Sequence, residues 1–268
     1  MSFKVLFLDE MDLSGKTLIR QAGGEVAVSH AADEAGRIRE LKELRPQGIL
    51  TRSTPVTAAM LEASPNLKVV GKHGVGLGCI DMAAAADRDV QVVFAPGATD
   101  ASIAQHAMMM ILMCAARFGV VNDQLRRGCP DIPAGLQNSF EVSGMTLGLM
   151  GCGRIAQLLA KMAVEGFGME VMAYDPYFPK TPLVPIRKAS QSEVLQQADF
   201  LSMHMPLMPS TRGSFGRQQF RLMKPTASFI NCCRGEVLVE EDLITALREG
   251  DILGAARSQQ RYGHSQHY

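Results

Sequence analysis

Gly151-Cys152-Gly153-Arg154-Ile155-Ala156 has the spacing G-x-G-x-x-A, follows the apolar run TLGLM and opens a helical pattern. Such a stretch can hold a pyrophosphate. The first glycine makes a tight turn, the second lets phosphates approach the backbone, and a small third residue lets helix and strand pack closely. The helix N-terminus then offers unpaired N–H groups and a positive dipole end. Glycines are common in turns, so the spacing alone is weak evidence. Asp175 supports it, standing twenty-two residues past Gly153 at the end of the next apolar run, EVMAY. A carboxylate there accepts hydrogen bonds from an adenosine ribose and repels a 2′-phosphate, which favours NAD(H) over NADP(H). The alternative for Asp175 is a turn residue before Pro176. Strand, turn, helix, strand and acid in register favour the ribose role.

The elements that must position these residues are legible in the apolar runs. FKVLFLD (3–9), EVAVS (25–29), QGILT (47–51), LKVVG (67–71) and QVVFA (91–95) read as strands buried on both faces. Segments between them, such as DEAGRIRELKEL (33–44), carry helical spacing. The alternation predicts a parallel sheet covered by helices. A long helix is predicted from Asp100 to Phe118, with Thr99 or Asp100 as its cap. It is apolar on nearly every face, as a buried helix or a dimer seam would be. After a polar stretch (126–144) the alternation restarts, with strands at 146–150, 170–174, 199–204, 227–232 and 252–256.

The 268 residues suffice for two ordinary domains. Twenty-seven basic and 27 acidic residues give zero net charge, which argues against a general nucleic-acid binder. The cysteines, at 79, 114, 129, 152, 232 and 233, form no C-x-x-C pair. Their spacing fits neither a metal site nor a disulfide framework and points to a reducing cytoplasm. The N-terminal apolar run is too short for a signal peptide. The longest apolar run, Ala107 to Ala116, is about half of a membrane span, so no membrane partner is expected. The 17 methionines read as adaptable core filler.

From about residue 45 to 256 the sequence resembles the D-isomer-specific 2-hydroxyacid dehydrogenases, especially their phosphoglycerate dehydrogenase-like branch. TRSTPVT (51–57) and KHGVGLGCIDMAAA (72–85) are similar to the family's two substrate loops, and PGATDASIAQHA (96–107) to the start of its interdomain helix. LGLMGCGRIA and AYDPY match its cofactor fingerprint. ADFLSMHMPLMPSTRG (198–213) and MKPTASFINCCRGEVLVEEDLITALREGDILGAA (223–256) are the most specific matches.

The resemblance implies a flavodoxin-like substrate domain over residues 1–98 and a Rossmann-type dinucleotide-binding domain over 99–268 that carries the interdomain helix. It implies NAD as cofactor, a phosphoglycerate-like or other small 2-keto or D-2-hydroxy acid as substrate, a cytoplasmic location and a homodimer. Residue by residue, Arg234 is the cation that anchors the substrate, since its planar fork meets a carboxylate in two parallel hydrogen bonds. Backbone groups of Val75 and Gly76 contact the substrate carboxylate. Arg52 faces a substrate phosphate or distal carboxylate. Gly151, Gly153, Arg154, Ile155, Asp175, Met205, Cys232 and Cys233 line the dinucleotide. His204 reads as a structural histidine near the cofactor.

The sequence departs from the family after LGAA. Family members continue with a strand ending Leu-Asp-Val-Phe, a catalytic glutamate, a further strand, a catalytic histidine and a closing helix. Here the text becomes RSQQRYGHSQHY, with Ser258 where the family has an aspartate. The expectation is therefore a Rossmann domain truncated after about residue 256, a substrate domain lacking its C-terminal helix, and an altered 3′ end of a longer gene. His264 or His267 would be poor replacements for a positioned general acid. The alternative to an active dehydrogenase is a catalytically impaired NAD-binding or oligomer-interaction relic of one.

Overall fold

The structure, a computed structural model, describes residues 3–128 and 139–258. Cys129, His264 and His267 lie outside the described residues. The chain divides into two compact units, Met1–Thr99 and Asp100–Tyr268.

Unit 1 runs β1 (Phe3–Phe7), α1 (Leu13–Gln21), β2 (Gly24–Val28), α2 (Glu34–Leu44), β3 (Gly48–Thr51), α3 (Ala58–Glu62), β4 (Val69–Lys72), α4 (Met82–Ala86) and β5 (Gln91–Phe94). The strands pair in parallel in the order β2-β1-β3-β4-β5, the flavodoxin-like arrangement. Helix starts follow local capping chemistry. Asp12, Asp33, Thr57 and Asp81 each accept a first-turn N–H through the side chain. Leu6, Leu41, Ile49, Met60, Leu61 and Val70 fill the core.

Unit 2 begins with α5 (Asp100–Ala115) and α6 (Phe118–Arg126). It continues with β6 (Thr146–Met150), α7 (Arg154–Phe167), β7 (Glu170–Tyr174), β8 (Arg187–Lys188), α8 (Gln191–Gln197) and β9 (Phe200–Met203). Then come α9 (Arg217–Leu222), β10 (Ser228–Asn231), α10 (Glu240–Glu249) and β11 (Gly254–Arg257). Its six parallel strands lie in the order β11-β10-β9-β6-β7-β8. Counted from β6, this is the doubly wound Rossmann order 3-2-1-4-5-6.

The inner strands of unit 2, β6, β7, β9 and β10, are largely apolar because both faces are covered. Leu147, Leu149, Val171, Ala173, Phe200 and Ile230 pack with Ala104, Ile111, Leu159 and Ala163 of α5 and α7. Residues at the alternate positions, Met150, Met172, Leu201, Met203 and Phe229, pack with Val194, Phe220 and Leu243 of α8, α9 and α10. Period two divides one apolar run between two cores.

The helix predicted to reach Phe118 ends at Ala115. Arg117 takes a left-handed conformation, φ 50°, and the axis turns by 66° into α6. Nor is α5 buried all round, since Met109 and Met113 are exposed. Neither expected residue caps it. Thr99 Oγ1 is buried without a hydrogen-bond partner among the described residues, and the Asp100 carboxylate pairs with Arg154 instead. Among the described residues, no single helix is long and apolar enough to cross a membrane.

Candidate functional site

In unit 2 the strand order reverses at β6, whose sheet neighbours β7 and β9 lie on opposite sides of it. Open α/β sheets bind ligands outside the carboxyl ends of their strands at such a reversal. The Gly151 loop stands there. Gly151 N–H donates to Tyr174 O at 2.8 Å, and His204 N–H donates to Met150 O at 2.8 Å. The loop is thereby hung between the ends of β7 and β9. Gly151 has φ +98°, and a Cβ there would lie 2.8 Å from the His204 carbonyl oxygen. Both conformation and space require glycine.

Gly153 is the N-cap of α7 and provides no side-chain acceptor for its first N–H groups. A Cβ on Gly153 would meet nothing within 4 Å, so the approach to those donors is open. Ala156, fully buried, lets α7 sit close on the sheet. Gln157 Nε2 donates to Cys152 O at 3.2 Å and fixes the loop from the first turn of α7. Arg154 leaves this turn toward Asp100, with Nε 2.8 Å from Oδ2. Ile155 packs at the edge of the core.

Asp175 follows β7. Its Oδ2 accepts from Cys152 N–H at 2.6 Å and its Oδ1 from Tyr177 N–H at 2.7 Å. The carboxylate is thus bonded directly to the glycine loop, and each oxygen keeps a second lone pair for a ribose hydroxyl. Loss of solvent, with Asp175 nearby, pushes the Cys152 thiol up to about 11. An open glycine turn, uncapped helical N–H groups and an oriented carboxylate together fit a dinucleotide with a free ribose 2′-hydroxyl.

Arg234 lies past the carboxyl end of β10 and opens a single 3-10 turn, Gly235–Val237. It is half-buried, and its Nη1 donates to Cys233 O at 2.9 Å. Asn231, a residue the motifs did not single out, builds this corner. Its Oδ1 accepts from Cys233 N–H at 2.9 Å and its Nδ2 donates to Arg234 O at 3.2 Å. A buried Asn ending an apolar strand, bonding the backbone two and three residues on, is the local signal for such a role. Cys233 Sγ also lies on Asn231 Oδ1, at 3.1 Å. Cys232 is buried against Met110, and burial pushes its thiol up to about 11. Ser258 continues β11 beside it, donating its N–H to Asn231 O at 3.1 Å.

His204 and Met205 follow β9. Met205 is half-buried on the core. The His204 imidazole, pushed down to about 4 by loss of solvent, is neutral at pH 7, and its Nε2 lies 2.9 Å from Ser202 Oγ. In unit 1, Arg52 follows β3 and is exposed, while Val75 and Gly76 follow β4 and are half-buried. His73 N–H donates to Thr51 O at 2.8 Å and joins the two loops. The structure thus gathers Gly151, Gly153, Arg154, Ile155, Asp175, Met205, Cys232, Cys233 and Arg234 at the carboxyl ends of one sheet. Arg52, Val75 and Gly76 gather at those of the other.

Among known proteins, the family described as "D-isomer specific 2-hydroxyacid dehydrogenase, NAD binding domain" matches residues 108–257. The D-3-phosphoglycerate dehydrogenase of Methanocaldococcus jannaschii is 35% identical over 257 residues, 94% of this chain and 48% of that protein. The hydroxypyruvate reductase of Thermotoga maritima is 35% identical over 207 residues, 77% of this chain and 66% of that protein. The chain spans about half the length of the phosphoglycerate dehydrogenases it matches. The solved TT0316 protein from Thermus thermophilus has a TM-score of 0.86 at 27% identity, covering 97% of this chain and 85% of that one.

Proposed function

Because the chain belongs to the D-isomer-specific 2-hydroxyacid dehydrogenases, we propose that it serves the NAD(H)-dependent interconversion of a D-2-hydroxy acid and its 2-keto acid. The observation that carries this reading is the convergence of the Gly151 loop, Asp175 and Arg234 at the carboxyl ends of one sheet. NAD, when bound, supplies the acceptor or donor of hydride. The chain's own residues bind and orient. Uncapped N–H groups of α7 receive the pyrophosphate, and Asp175 receives the ribose and disfavours a 2′-phosphate. Arg234, its turn fixed by Asn231, holds the substrate carboxylate and polarises the carbonyl beside it. In unit 1, Val75 and Gly76 offer backbone groups to a substrate carboxylate. Arg52 receives a distal phosphate or carboxylate, so the favoured substrates are phosphoglycerate-like acids. The family reading also implies a homodimer and a cytoplasmic location.

A second reading, NAD binding without turnover, is favoured by one observation. His204 stands at a strand end near the glycine loop, but its imidazole is neutral and its Nε2 is engaged by Ser202. It is a poor proton donor to a carbonyl oxygen.

The test follows NADH fluorescence and NADH oxidation in the same samples against hydroxypyruvate, glyoxylate and other 2-keto acids. Turnover that falls on the order of 10- to 100-fold in Arg234→Ala, the weight of a charge-assisted contact, supports the first reading. NADH binding with no turnover on any acid selects the second. Failure to bind NADH sinks both.

A further inference from the structure

The reversal of strand order in unit 1 lies at β1, between β2 and β3, and the loops after β1 and β3 meet there. Asp9, from the first loop, reaches the second. Its Oδ2 accepts from Arg52 N–H at 2.7 Å and from Ser53 N–H at 3.3 Å. Its Oδ1 accepts from Ser53 Oγ at 2.9 Å, Thr54 N–H at 3.2 Å and Thr54 Oγ1 at 3.0 Å. Three successive N–H groups converging on one point form a nest that binds anions. Here the nest is filled from within the chain. Burial pushes the Asp9 carboxyl up, but these donors together outweigh it and hold the group well below the usual carboxylate range.

The other side of the loop is fixed as well, since Lys72 Nζ donates to Arg52 O. Backbone N–H and C=O of Arg52 are therefore both tied down. Its side chain is not. The guanidinium is exposed and makes no hydrogen bond or ion pair among the described residues.

We propose that Asp9 is a positioning residue for substrate recognition. By occupying the backbone nest after β3 it fixes the Arg52 backbone and leaves the guanidinium free as the receptor for the substrate's distal anionic group. This rests on the reading of Arg52 given above. Asp9 itself touches no substrate. It acts through Arg52, and its effect is confined to acids that carry the second anion.

Calorimetric titration of the full chain with 3-phosphoglycerate and with D-glycerate, the same acid without its phosphate, tests this in the presence of NADH. Asp9→Asn puts an amide where N–H donors expect an acceptor. It is expected to weaken 3-phosphoglycerate on the order of tenfold and to leave D-glycerate unchanged. Arg52→Ala should do the same at least as strongly. The double variant should be no weaker than Arg52→Ala, because Asp9 works only through that side chain. Ser53→Ala with Thr54→Val keeps the carboxylate and removes two donors, and should give a smaller loss of the same selectivity. It also covers the case in which Asp9→Asn does not fold. Equal losses on both acids, or an unchanged affinity for 3-phosphoglycerate in both Asp9→Asn and the Ser53/Thr54 variant, would overturn the proposal and leave Arg52's role standing. A wild-type chain that binds neither acid overturns the substrate reading itself, and the role of Asp9 with it.

Discussion

At the scale of single residues, the cofactor loop is decided by what one side chain would do to one carbonyl. Gly151→Ala forces a Cβ to 2.8 Å from His204 O at a positive φ, a strain of about 1–3 kcal/mol. The loop must shift, and NADH affinity is expected to fall about tenfold or more, read by fluorescence titration. Gly153→Ala meets no such contact and should cost the fold little. The neighbouring His204 gives a pH signature. Its folded pKa lies below the ordinary 6.5, at about 4. As pH falls from 6.5 toward 4 the unfolded imidazole takes a proton that the folded one refuses, so stability falls over that window. Denaturant titrations at pH 7 and pH 5 should show a smaller drop for His204→Gln than for wild type. Equal drops would mean that the ring titrates normally in the fold. Gly151, Gly153 and Asp175 are legible in the sequence because a motif keeps their partners close along the chain. Asp9 is not, because the residues it binds lie more than forty positions away and only the sheet brings them together. Asn231 is hidden by its neighbours Cys232, Cys233 and Arg234, which carry the motif.

At the scale of elements, the inner strands such as β6, β9 and β10 are legible because burial on both faces leaves mostly apolar residues to write them. By contrast β5, read as buried on both faces, lies at the sheet edge with Gln91, Val93 and Phe94 exposed. β8 is not legible, since Arg187 and Lys188 are exposed at the sheet edge and carry no pattern. α6 is not, since none of its residues is buried and Gly119, Asn122 and Asp123 dilute its helical signal. The helix–sheet contacts depend on small residues. A Cβ on Gly148 of β6 would stand 2.6 Å from Ala198 Cβ and 2.9 Å from Val194 Cγ1 at the end of α8. Gly148→Ala must push that helix away from the central strand. The expected cost is about 1–3 kcal/mol, measured by urea unfolding, and it should be larger than that of Gly166→Ala, where a Cβ meets nothing within 4 Å.

At the scale of the whole molecule, the family reading asks for a second copy. Met109, Met113, Phe118 and Leu125 expose apolar surface on α5 and α6, the kind of surface that association covers. Sedimentation is expected to give twice the chain mass, and Met109→Glu with Phe118→Glu to give the monomer. A wild-type chain that sediments as a monomer at micromolar concentration would remove the homodimer from the reading. Within this chain each unit is drawn from one continuous stretch, 1–99 and then 100–268. The ribosome adds roughly 5–20 residues per second, and domains formed first in the chain fold first. All five strands of unit 1 precede the whole of unit 2, so that sheet can assemble seconds before β10 is translated. Direction of synthesis becomes order of assembly, and Asp9 can set the Arg52 loop before Arg234 has been made.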